Sequence, residues 1–187
     1  MDHIWELVRN SKGHTGSDLE VHLEGTAALL EEWGQRESVR LAGLYHAVYG
    51  NPGGRSAICS PDDKALASRI GEEAEFLVRI WAVLDRSRLR KMVYSFKAGD
   101  EPIQLASHTG ESLDVSRQQY VDLAHIHVAN LIEVASRTNM SLNDKLLRLH
   151  PALSKEAYAC LKAHYPEGWR FLIQKLQARC RESLRRL

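Results

Sequence analysis

The sequence predicts an all-α protein, a single helical bundle carrying one long irregular loop. Three observations predict it. Apolar residues recur at three- and four-residue spacing through most of the chain. Capping boxes and post-helical glycines punctuate the chain at helix-like intervals. Only the stretch 92–115, with Gly99, Asp100, Pro102, Gly110 and Glu111, loses the periodicity. A loop of that length inside a compact domain is often functional. The 187 residues, 44% hydrophobic and 26% charged, suffice for one core without staples, and no repeat or linker divides them.

Each element follows from local chemistry. Residues 2–10 read as a short helix that ends before the turn at Ser11, Lys12 and Gly13. Ser17 and Glu20 form a capping box, Leu19, Leu23, Leu30 and Trp33 supply the apolar stripe, and Gly34 stops the helix. The next helix covers 38–49, with Val39, Ala42, His46 and Tyr49 on one face and Gly50 after it. Residues 51–55 are loop. Ser60, Pro61, Asp62 and Asp63 mark a new start: an N-cap, a proline at the first helical position, then acids at the positive end of the dipole. That helix breaks near Gly71 and resumes over 72–84, with Phe76, Leu77, Ile80 and Trp81 as core. The irregular stretch begins with a short extended piece at 92–96. Ser116 and Gln119 make another capping box. The helix they open is apolar nearly all round from Val121 to Val134, which marks the central buried helix. Three more helices follow at 143–149, at 155–164 after the Ser154 cap, and from 169 to the end, the last one basic.

With 25 Lys and Arg against 24 Asp and Glu, the net charge is +1, too little to hold a nucleic acid by its overall field. No apolar run is long enough to cross a membrane, and the N-terminus lacks the basic and apolar regions of a signal peptide. The three cysteines, Cys59, Cys160 and Cys180, are odd in number and far apart, as expected in a reducing compartment. A cytoplasmic protein is the expectation.

Nine histidines is a high number, and several fall on buried faces. His22, His46 and His125 lie on the apolar stripes of three separate helices, and His127 neighbours His125. Each such imidazole needs a partner for both ring nitrogens. Alone, each is a hydrogen-bonded core histidine; converging, they make a metal site suited to Zn, Fe or Mn. Asp122 neighbours His125 on the helix surface, as a ligand, an orienting acceptor or a partly exposed acid.

The runs His22-Leu-Glu-Gly-Thr26, Glu32-Trp33-Gly34 and Leu41-Ala-Gly-Leu-Tyr-His46-Ala-Val-Tyr-Gly50 resemble the HD-domain superfamily, in a branch with the pattern HLxGT…WG…AGLxHxxYG. Ile70-Gly-Glu-Glu-Ala-Glu75 and Thr109-Gly-Glu111 are similar to the same branch, and the order of segments resembles the alarmone hydrolase domain of stringent-response enzymes. The resemblance spans about 14–135. It implies an HD-like helical core there, with a C-terminal helical extension at 141–187, and a metal held through H…HD…D. His22 matches the first histidine and His46 the second. Ala47 stands where the aspartate belongs. His125 falls at the last aspartate, or Asp122 after a shift of three. The acidic pair of the alarmone hydrolases falls at Tyr49-Gly50.

The resemblance implies a metal-dependent enzyme acting on a small molecule, with one Fe, Mn or Zn ion on His22, His46 and His125 and with phosphoester hydrolysis as the reaction. Asp122, Glu73 or Glu75, and His127 are the acid–base candidates. Lys12, His14, Arg55, Arg86 and Tyr49 are candidate substrate contacts, the cations for a phosphate or carboxylate. Two alternatives stand beside hydrolysis: a mononuclear iron oxygenase of specialised metabolism, and a non-catalytic HD-like module whose pocket has lost its metal. Trp or Tyr exposed on the final helices would offer a homodimer surface.

Overall fold

The computed structural model describes residues 3–11, 19–50, 57–62, 64–92, 102–138, 142 and 144–164. Its helices are α1 (His3–Arg9), α2 (Leu19–Glu32), α3 (Glu37–Tyr45), α4 (Ala65–Ile70), α5 (Glu72–Val83), α6 (Arg86–Met92), α7 (Arg117–Arg137), a 3-10 helix (Asp144–Ala152) and α8 (Lys155–Ala163). Between α6 and α7 lie two strands, β1 (Ile103–Ala106) and β2 (Ser112–Val115). The molecule is therefore mostly helical but not purely so.

Most helix ends fall where the sequence places them. Ser116 accepts the Gln119 N–H at 3.2 Å, and the Gln119 amide oxygen accepts the Ser116 N–H at 2.8 Å. Ser154 caps α8 by accepting from Ala157. Gly34, at φ +67°, closes α2 with a bond from Gln35 N–H to Leu30 O, the Schellman arrangement. Gly71, at φ +83°, separates α4 from α5. The Ser17 capping box, the extended piece beyond residue 92 and the basic segment from 169 lie outside the described residues.

Three boundaries differ from expectation. Helix α3 ends at Tyr45 rather than 49, because the chain tightens into bonds from Val48 N–H to Tyr45 O and from Gly50 N–H to Ala47 O. Val48 O is then spent on the Ile58 and Cys59 N–H groups. Helix α4 starts at Ala65, not after Ser60, whose hydroxyl instead accepts the Asp62 N–H in a local turn. The element predicted at 143–149 is the 3-10 helix, with Pro151 in its last turn.

The irregular stretch contains an antiparallel hairpin, in register Ile103↔Val115 to Ala106↔Ser112. Ile103, Leu105 and Val115 point into the core. The hairpin is tied to the α5–α6 junction by the Leu84↔Ser107 bridge and the Asp85 N–H to Ala106 O bond.

Helix α7 is central, with Tyr120, Leu123, Ala124, Ile126, Val128, Ala129 and Ile132 buried, and it packs on α2, α3, α5, α6, α8 and the 3-10 helix. Two glycines set how closely α2 is approached. A Cβ on Gly43 of α3 would lie 2.3 Å from Leu30 Cδ1, and one on Gly25 of α2 would lie 2.8 Å from Glu133 Cγ of α7. Bare backbone at these two points lets α3 and α7 close on α2. None of the described helices is long and apolar enough to cross a membrane.

Candidate functional site

The close packing brings His22 of α2, His46 at the end of α3 and Glu133 of α7 together. The His46 Nδ1–H donates to Gly43 O at 2.7 Å. A carbonyl only accepts, so this bond fixes the proton on Nδ1 and leaves the lone pair on Nε2. Burial, with His22 nearby, pushes the His46 pKa down to about 3 and keeps the ring neutral. On the other ring, Nδ1–H of His22 donates to Glu133 Oε2. The two Nε2 atoms then face each other at 3.3 Å. Two lone pairs repel at that distance unless a cation, a proton or a metal, joins them. Two imidazole nitrogens on a tetrahedral zinc stand about 3.4 Å apart, so the spacing fits two ligands of one ion. Engagement of the outer nitrogen by a carboxylate or a backbone carbonyl is the usual arrangement for metal-ligating histidines.

Glu133 is itself buried and also accepts from Arg137 Nε at 2.5 Å. Asn130, one turn earlier, is within hydrogen-bonding reach of His46. The Trp81 ring packs edge-on against His46, with centroids 5.6 Å apart, and His127 lies beyond it at 6.0 Å. The Arg86 guanidinium sits over Trp81, 5.0 Å from its centroid. Burial pushes its pKa down, and among the described residues no carboxylate hydrogen-bonds it.

Of the predicted ligands, the structure joins His22 and His46 only. His125 points elsewhere: its Nδ1–H donates to Val121 O at 2.8 Å and its Nε2 accepts the Ser154 N–H at 2.9 Å. With both nitrogens spent, it pins the start of α8 and has no lone pair for a metal. Among the described residues no group of three His, Cys, Asp or Glu is arranged to hold a metal.

The predicted acids are tied up as well. Asp122 is fully buried and takes both Arg36 nitrogens, at 2.6 and 2.7 Å, plus Gln118 at 3.0 Å. It lies eleven residues before Glu133, about 16 Å along α7. Glu73 is largely exposed and bonds the same Arg36, which holds its pKa below the usual carboxylate range. Asp122 and Glu73 therefore fasten α7 and α5 to the start of α3 and do not face the histidine pair. Glu75 accepts from the Tyr49 hydroxyl at 2.8 Å and from Arg79 at 2.6 Å, so Tyr49 is committed within the protein rather than turned to a substrate. Of the remaining candidates, His127 and Arg86 flank Trp81, while Lys12, His14 and Arg55 lie outside the described residues.

Sequence reasoning missed Glu133, Gly25 and Gly43. The available signal was an acid in the apolar run of α7 and the glycine three residues after His22 and three before His46.

No curated protein and no solved structure matches the chain. Residues 4–86, which carry His22, His46, Trp81 and Arg86 but not Glu133, match a family model described as a domain of unknown function, DUF6817.

Proposed function

We propose that this is an HD-type cytoplasmic protein whose His22–His46 pair holds one divalent metal ion and that it hydrolyses a phosphoester of a small molecule. The carrying observation is the pair of Nε2 atoms 3.3 Å apart, each with its Nδ1–H already engaged. A bound ion would supply a water of lowered pKa and polarise the ester. Arg86 supports the anionic substrate: it is a half-buried cation, held against Trp81 beside His46, that feels the neighbouring Asp85 charge but hydrogen-bonds no described carboxylate. Trp81, buried against His46, keeps that side of the pair dry.

Metal analysis of untagged protein, beside His46→Ala and the gentler His46→Gln, tests the proposal together with a phosphoester panel. About one equivalent of Zn or Mn, lost in both variants, with hydrolysis that tracks the metal, is the expected result. No metal after soaking overturns the metal site and leaves a binding module. The carboxylate-poor surroundings, where Glu133 is spent on the outer nitrogen of His22, also suit iron. Iron with no hydrolysis would replace this reading with dioxygen chemistry.

A further inference from the structure

We propose that Glu133 is the positioning residue of the pair, dictating which nitrogen of His22 is left to face His46. The inference rests on the metal reading for its consequence but not for its geometry. The Glu133 carboxylate is divided. Oε1 takes Arg137 Nε, and Oε2 takes His22 Nδ1. Both neighbours act as donors to it, so a carboxylate, which only accepts, satisfies them together. His22 is thereby held as the Nδ1–H form, with the Nε2 lone pair aimed at His46 Nε2.

The fold makes room for this contact at a specific place. Gly25 lies one turn after His22 on the same helix, and a Cβ there would stand 2.8 Å from Glu133 Cγ and 3.3 Å from Oε1. Glu133 thus reaches His22 across bare backbone. The contact closes a separation of 111 residues and joins the helix that carries the first histidine to the central helix.

Glu133→Gln separates positioning from packing, because it keeps shape and removes one acceptor. Arg137 has only donors to offer and captures the amide oxygen. The amide nitrogen then faces His22 and donates to Nδ1, which drives the ring to the Nε2–H form. Nitrogen NMR of the full-length, metal-free chain at pH 8 reads this directly from the ring nitrogens of His22. Wild type is expected with Nδ1 of His22 protonated and Glu133→Gln with that Nδ1 bare, with unchanged far-UV circular dichroism. Zn(II) titration of the same samples is expected to weaken about 10- to 100-fold in the variant. Gly25→Ala, which displaces the carboxylate without deleting it, is expected to weaken Zn(II) binding in the same direction.

An unchanged His22 tautomer in Glu133→Gln would overturn the proposal, as would zinc affinity within twofold of wild type. If wild type binds no zinc yet the tautomer switches, the metal reading fails and the positioning role stands.

Discussion

Gly43→Ala tests how tightly α2 and α3 are seated. The new methyl carbon would lie 2.3 Å from Leu30 Cδ1, more than about 1 Å inside an ordinary carbon–carbon contact. Leu30 is fully buried, so it relieves the clash only by leaving its rotamer or separating the helices. Overpacking of this kind costs about 1–3 kcal/mol. Against it stands a gain of about 1 kcal/mol from replacing a mid-helix glycine. The expected net loss is up to about 2 kcal/mol, a fall in Tm of up to about 8 °C at this chain length. Leu30→Ala alone should cost about 2–5 kcal/mol. It also removes the clashing atom, leaving Thr26 Cγ2 at an ordinary 3.7 Å from the new methyl. In that background Gly43→Ala should therefore stabilise, by up to about 1 kcal/mol. Urea unfolding of the four proteins, followed by circular dichroism, gives the coupling directly. If Gly43→Ala has the same sign in both backgrounds, Leu30 is not the obstacle and the close seating of α2 on α3 is refuted.

Other consequences are open to equally direct measurement. Arg36→Met should destabilise by about 2–4 kcal/mol, since it strands the buried Asp122 carboxylate, and the half-exposed arginine keeps the loss below the range for fully buried pairs; adding Asp122→Leu should recover part of it in urea melts. Asp122→Asn should leave zinc affinity within twofold, because that carboxylate belongs to the Arg36 cluster. Burial depresses the His125 pKa, so the unfolded chain binds protons the folded one refuses: the His125 contribution is whole above about pH 6.5 and is lost as pH falls, at up to about 1.4 kcal/mol per unit. His125→Gln should flatten the acid side of the stability–pH curve accordingly. Arg86→Met should weaken inorganic phosphate binding at least about tenfold, read by calorimetry, while zinc content stays the same.

Most helices were legible because their signals are local, though α6, a seven-residue helix, was not. The Ser116–Gln119 box, the Ser154 cap and the glycines at 34 and 71 act within a turn of themselves. The hairpin was not, since four-residue strands such as Ile103–Ala106 are too short to show an alternating period against the turn residues around them. His22 and His46 could be picked out by motif and by their place on apolar stripes. Placement on α7 could not be read the same way. That helix is apolar nearly all round, and each face meets a different neighbour: Asp122 meets Arg36, His125 meets Ser154, and Glu133 meets His22. Periodicity reports that such a helix is buried, not which of its faces meets which partner. Aligning the family's last aspartate onto 122 or 125 therefore selected residues that the packing turns elsewhere.

The 111-residue span between His22 and Glu133 also bears on when the site comes into being. Helices α2 and α3 are joined by only four residues, so Leu30 and Gly43 find each other at little cost in loop closure. Glu133 leaves the ribosome long after both histidines, and its contact closes one of the longest loops in the molecule. The His22 imidazole waits unheld until α7 docks, while His46 already has Gly43 O within its own turn. A fragment ending at residue 86 keeps both histidines and lacks the carboxylate that orients one of them. Any binding chemistry of the pair is therefore a property of the finished chain, and ion binding will favour the folded state over every shorter intermediate.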